Sequence, residues 1–205
     1  MNPILDAERI YLTPLSLSRI KSMTKWGKHK NPLLYDYNFD FSTEYGQRLF
    51  YFVKTASPFK KYFAIVDKET DDTIGYLGMK NINFFKKTSV LGIVIDPAKM
   101  DMKYGTEALE RFFEYYFGYL QMKDMVLEVA TYNPRAIKLY RNMGFEKTGY
   151  ALDEYPNEDL DTSSEEYLKF KEEFLFTNGK WYNYIYTMIL TAEKYYSRRG
   201  DTIEI

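Results

Sequence analysis

The chain has 205 residues, with 28 Lys and Arg against 29 Asp and Glu, one histidine and no cysteine. That length suits a single domain with a substantial core, and a net charge of -1 gives no sign of a nucleic-acid partner. Without cysteine, disulfides, thiolate metal sites and a cysteine nucleophile are excluded, and no metal is expected.

Aromatic residues make up 19% of the chain, so it is globular rather than disordered. "MNPILDAERIYL" has no basic region followed by an apolar run, and no apolar stretch approaches the ~18 residues of a membrane span. The chain therefore reads as cytoplasmic, with no membrane partner. His29, in "KWGKHKNP", reads as an exposed loop residue, and no G-x-S-x-G elbow accompanies it.

"RIYLTPL" (9–15) alternates like a strand, and "SLSRIKSMTKWG" follows as a short serine-capped helix. "NPLLYDYNFDF" is irregular. The helix expected over 42–56 places Tyr45, Leu49, Phe52, Val53 and Ala56 on one face. Three strands follow at 61–68, 73–83 and 89–97, in a hairpin-like series that argues for antiparallel pairing. The last, "SVLGIVIDP", is apolar almost throughout, which suits a central strand covered on both faces.

A helix over 104–120 carries a wide apolar stripe: Ala108, Leu109, Phe112, Phe113, Tyr116, Phe117 and Leu120. A strand at 124–132, a helix at 133–143 and a strand at 145–155 come next. The stretch 153–173 reads as an acidic insertion, loop and helix in part. Asn178-Gly179 turns into an alternating strand, and 191–205 reads as a polar C-terminal tail. The order predicts one mixed α/β (α+β) domain with a central sheet and helices on its faces. The exposed aromatic strand expected near 181–190 would allow a homodimer.

Two segments carry chemistry. "GIVIDPAKMDMKYGTEAL" (92–109) is a strand, a loop and a helix start, an arrangement that exposes N–H groups to an anion. Gly105 would let a ligand approach the backbone. In "NPRAIKLYRNMGF" (133–145), Asn133 caps a helix, Pro134 fits its first turn and Gly144 stops it. Glu128 is either a proton acceptor or a solvated carboxylate on its strand. Asp96 is a second candidate base and equally a turn residue.

"IVIDPAKMDMKYGTEAL" with "LEVATYNPRAIKLYRNMGFEKTG" resembles the GNAT superfamily of acyl-CoA N-acyltransferases, most closely its ribosomal-protein-alanine N-acetyltransferase-like branch. The resemblance runs from about residue 8 to 155, with its specific motifs in 89–149. Asn-x-x-Ala-x-x-x-Tyr-x-x-x-Gly-Phe is matched throughout. The family's loop pattern, (Gln/Arg)-x-x-Gly-x-(Gly/Ala), keeps its length and final Gly105, but has Met100 in the first place and Lys103 in place of the first glycine. Lys103 either supplies a cation to a phosphate or covers the loop.

The resemblance implies a mostly antiparallel sheet and acetyl-CoA as cosubstrate. Pantetheine would meet the main chain of Ile93, Val94 and Ile95. Pyrophosphate would meet Asp101, Met102, Lys103, Tyr104, Gly105 and Thr106. Asn133 would add a ligand contact to its cap, and Tyr140 would act on the departing thiolate. Glu128 matches a glutamate that accepts the proton in some relatives. The implied reaction is direct acetyl transfer to a primary amine of a small molecule or protein N-terminus. The alternative is a non-catalytic acyl-CoA-binding or sensing module.

Overall fold

The computed structural model describes residues 4–156 and 160–200. The chain runs β1 (Leu5–Asp6), β2 (Ile10–Pro14), α1 (Leu17–Ser22), α2 (Glu44–Thr55), β3 (Lys61–Asp67), β4 (Thr73–Asn83) and β5 (Thr88–Ile95). Then come α3 (Tyr104–Phe113), β6 (Asp124–Ala130), α4 (Pro134–Asn142), β7 (Glu146–Glu154), α5 (Glu165–Phe170), β8 (Phe174–Thr177), β9 (Lys180–Thr191) and α6 (Ala192–Arg199). All strands join one sheet in the order β1-β2-β3-β4-β5-β6-β9-β7, with β8 also on β9. Among the described residues only β5 and β6 pair in parallel. The expected mixed, mostly antiparallel architecture is what forms, with β5 near the middle of the sheet.

One face of the sheet buries Phe63, Ile65, Leu77 and Leu91 against the aromatic stripe of α3. The other packs Tyr62, Ala64 and Val66 against Ile20, Met23 and Trp26 of the α1 region. Past Phe113 the helix widens into a π segment, Glu114–Tyr119. The wider turn lets three successive aromatics, Tyr115, Tyr116 and Phe117, all be buried. Tyr116 then locks the sheet: its hydroxyl donates to Asp124 O at 2.7 Å and accepts from Ser89 Oγ at 3.0 Å. Those partners sit on β6 and β5, where the two strands are still paired.

Several expectations change. The segment read as irregular contains a 3-10 helix, Pro32–Tyr37, capped by Asn31. On α2 the stripe expected to be a packing face points outward: Tyr45 is 77% exposed and Phe52 65%. The helix instead buries Gln47 and seats Phe50 among Phe39, Phe41 and Tyr76, with ring centroids 5.1–5.5 Å away. Of the tail expected over 191–205, Ala192–Arg199 is helical, with Tyr195 stacked on Phe117 at 4.9 Å, and residues 201–205 lie outside the described residues. The 181–190 strand lies inside the sheet between β6 and β7, so the exposed-edge argument for a homodimer does not apply to it. Within 153–173, the helical part is α5 followed by a 3-10 turn, Lys171–Glu173, and residues 157–159 lie outside the described residues.

Two glycines are required by geometry. Gly144 has φ +97°, and a Cβ there would come 2.7 Å from Arg198 Cδ. At Gly78 a Cβ would come 2.3 Å from Lys61 O and 2.8 Å from Tyr62 Cα, both backbone atoms of the neighbouring strand. Gly78→Ala is therefore expected to push β3 from β4 and cost about 2 kcal/mol or more. Thermal unfolding should show a drop of roughly 5 °C or more; an unchanged Tm would contradict this packing.

Candidate active site

The site begins where two strands part. β5 and β6 pair over Thr88–Val90 and Asp124–Val126 and then diverge, β5 staying on β4 and β6 on β9. Asp96 N–H donates to Ile74 O at 2.9 Å, so the antiparallel alternation turns Gly92 and Val94 toward β4. The main-chain groups of Leu91, Ile93 and Ile95 then face the gap. This opening is part of a cavity of about 1210 Å³, and its walls include Leu91–Ile95, Glu128, Asn133 and Tyr140.

The loop after β5 closes one end. Asp96 is buried, and its carboxylate accepts from Gly27 N and Ala98 N, both at 2.9 Å. It is a turn-building residue that does not line the cavity. Asp101 and Lys103 are left-handed, with φ 63° and 65°. Lys103 thus adopts, at its place in the loop pattern, the backbone a glycine reaches without strain. No side chain caps α3, which leaves its first-turn N–H groups facing the loop. A Cβ on Gly105 would make only ordinary contacts, 3.5 Å to Ile95 and 3.8 Å to Leu139. Packing does not require glycine there; its absent side chain leaves the groove floor open to a ligand.

Asp101, Lys103, Tyr104, Gly105 and Thr106 line the cavity with Ile93, Val94 and Ile95. Met102 does not: it is 47% exposed on the outer side, its carbonyl accepting from Arg9 at 3.2 Å. The Tyr104 hydroxyl donates to Asp67 at 2.9 Å, and Arg9 binds Glu107 at 2.8 Å, which fixes the start of α3 against the sheet. Across the opening, Arg135 of α4 pairs with Asp101 at 3.2 Å.

Asn133 caps α4 as expected, accepting from Ala136 N at 3.1 Å, and it also lines the cavity. Tyr140 sits one face along, 9% exposed, its ring 5.8 Å from Phe145. Its hydroxyl has no hydrogen-bond partner among the described residues, and burial pushes its pKa up to about 12. Glu128 projects from β6 between buried Leu127 and Val129. Its carboxylate is exposed on the cavity wall and has no ion-pair partner among the described residues.

The sequence reading missed part of the wall. His29 is half-buried there rather than an exposed loop residue, and burial, then the Arg135 charge, lowers its pKa. The 3-10 helix Pro32–Tyr37 brings Asp36 and Tyr37 to the same space, near Tyr132. Asp36 is exposed by surface area, yet the protein crowded around its carboxyl desolvates it enough to raise its pKa from 3.8 to about 6. The folded state therefore holds the proton more tightly than the unfolded chain, so Asp36 costs stability as pH rises from about 4 through 6. Asp36→Asn should raise Tm at pH 7–8, and the gain should vanish by about pH 4. A gain independent of pH across that range would contradict the assignment.

Among the described residues, no group of His, Cys, Asp or Glu is arranged to hold a metal, and no helix is long and apolar enough to cross a membrane. Comparison with known proteins adds a lineage. The model of a family described as "Acetyltransferase (GNAT) domain" matches residues 9–146. Among curated proteins, the chain is similar to the spermidine N(1)-acetyltransferase of Vibrio cholerae, 26% identical over 91 residues, or 44% of this chain and 53% of that protein. It is also similar to the uncharacterized N-acetyltransferase p20 of Bacillus licheniformis, 28% identical over 44% of this chain and 51% of that one. The chain thus spans about half the length of the curated relatives it matches. A solved Vibrio cholerae spermidine N-acetyltransferase in complex with CoA and spermine superposes with a TM-score of 0.67 at 19% identity, covering 91% of this chain and 98% of that one. With a family model spanning most of its length and a sheet that opens between β5 and β6, this chain belongs to the GNAT family of acetyltransferase domains.

Proposed function

We propose that the chain transfers an acetyl group from acetyl-CoA directly to a primary amine, of a small molecule or a protein N-terminus. One observation carries the reading. A buried phenol, Tyr140, and a carboxylate, Glu128, both without a partner among the described residues, line one cavity with the unpaired edge of β5.

The residues present fit the cosubstrate. Leu91, Ile93 and Ile95 offer main-chain groups to a pantetheine amide, and the uncapped α3 start with Lys103 offers N–H groups and a cation to phosphate. When bound, acetyl-CoA supplies an activated thioester. Glu128 takes the proton that an alkylammonium, pKa near ~10, must lose before it can attack. A main-chain N–H of β5 donates to the oxygen that gains charge. Tyr140 Oη holds a hydrogen for the departing sulfur.

Spermidine, the substrate in the names of the Vibrio cholerae relatives, is an amine of this general kind, whereas the protein-N-terminal acceptor of the alanine-N-acetyltransferase-like branch is the other option. Purified protein with acetyl-CoA and a broad amine panel should release CoA. Binding of CoA by calorimetry with no turnover on any amine would instead favour the non-catalytic sensing module, the reading that Lys103 in the loop pattern motivates.

A further inference from the structure

The cavity wall away from the loop holds a positive charge that no anion among the described residues answers. Lys54 of α2 is half-buried, its Nζ 4.8 Å from the Tyr62 ring centroid and 5.2 Å from those of Phe50 and Tyr76. Ring faces attract an ammonium, but they offer no lone pair to its three N–H donors. Among the described residues Lys54 has no carboxylate or hydrogen-bond acceptor, and its charged neighbours are like charges, Lys80 and Lys60. Lys80 lines the same cavity, again without an anionic partner among the described residues. Two half-buried ammonium groups on one wall are unfavourable unless a ligand brings the anion.

The strand register separates this pair from the phosphate loop. Tyr62 aligns with Gly78 and Gly78 with Gly92, Tyr76 aligns with Val94, and Lys80 with Val90, so the two lysines and their rings run beside β5 from the last residue paired with β6 into the parted stretch. Gly92 lies four positions before Asp96, where the loop begins, or about 13 Å along the strand. A Cβ on Gly92 would meet nothing within 4 Å, so space for a ligand group adjoins the cage.

We propose that Lys54, with Lys80 beside it, seats a carboxylate carried by one of the two reacting substrates. The inference rests on the acyl-transfer reading above. The carboxylate belongs either to the acceptor, which is then an amine of amino-acid type, or to the free end of a dicarboxylic acyl chain on CoA. Lys54 is a specificity residue in this scheme, and Glu128 and Tyr140 keep their roles.

The test has two arms, each run on the intact chain and on Lys54→Met and Lys54→Arg. In the first, acetyl-CoA is the donor and acceptors are paired with their decarboxylated amines, such as phenylalanine with phenethylamine. In the second, one uncharged-tail amine is the acceptor and acetyl-CoA is compared with succinyl-CoA. One arm should show a preference for the carboxylate-bearing member in kcat/KM. That preference should fall at least about tenfold in Lys54→Met and persist in Lys54→Arg. The arm that responds identifies the source. An active enzyme with no preference in either arm, or one that Lys54→Met leaves intact, overturns the proposal while acyl transfer stands.

If no amine turns over, acyl transfer has failed, and the seat is tested by binding alone. Trp26 stacks on Tyr76 at 6.3 Å and so reports on the cage. Titration with N-acetylglycine or succinate should change its fluorescence in the intact chain and not in Lys54→Met. A response equal in both overturns the proposal.

Discussion

Tyr140→Phe is expected to lower kcat about a hundredfold or more while leaving the fold intact. The ring is almost fully buried against Phe145 and its hydroxyl has no partner among the described residues, so phenylalanine preserves the packing and removes an unpaired polar atom. Stability should be unchanged or slightly raised, which makes the variant a clean kinetic probe. The burial that holds the phenol near 12 also constrains what it does. A thiol ionises near ~8.5, so complete transfer of the Tyr140 proton to sulfur would run uphill by roughly 5 kcal/mol. Donation of a hydrogen bond from this buried hydroxyl to the developing thiolate is the cheaper contribution. It follows that kcat should show no fall from Tyr140 ionisation below about pH 11. A variant with wild-type kcat would remove Tyr140 from the chemistry, and a basic limb near pH 9 that disappears in the variant would reverse the account of its pKa.

The strand-loop-helix frame of the site was legible because each part has a local cause. The apolar run of β5, the Asp-Pro stop and the Asn133 cap all act within a few residues of themselves, and the structure keeps all three. The orientation of α2 was not legible, because the helix carries two stripes with the same period. Tyr45, Leu49, Phe52 and Val53 repeat at helical spacing, and so do Gln47, Phe50, Tyr51 and Lys54. The choice is made by the aromatic seat that Phe39, Phe41 and Tyr76 form for Phe50, and those residues come from other elements. The same fact hid Lys54 and Asp36. Neither lies in a motif, and only the packing of α2 and the 32–37 helix against the open strands brings them to the cavity. α6 was missed for a related reason: its sequence is polar, and it docks through buried Tyr195, with Ala192 and Tyr196 beside it, and through ion pairs such as Lys194–Glu146 and Arg199–Glu114.

Glu128→Gln is the second large effect expected, a fall in kcat/KM at pH 7 of about a hundredfold. Glutamine keeps the size of the side chain at a position whose carboxylate has no ion-pair partner among the described residues, so the β6–β9 ladder, where residue 128 faces Thr187, should be undisturbed. The pH dependence separates a proton acceptor from a residue that only attracts the amine. With the carboxylate gone, attack depends on amine that is already neutral in solution, whose fraction rises tenfold per pH unit until the amine pKa near ~10. The logarithm of kcat/KM for the variant should therefore climb with a slope of about one between pH 7 and 9, and approach the wild type at the top of that range. An electrostatic role alone would instead raise KM by a factor that does not shrink with pH until the amine itself loses its charge. Asp36 supplies the competing assignment, since its carboxyl opens on the same cavity and its pKa near 6 leaves it mostly ionised at pH 7. If Asp36→Asn shows the unit slope and Glu128→Gln does not, the proton leaves through the 3-10 helix rather than through β6.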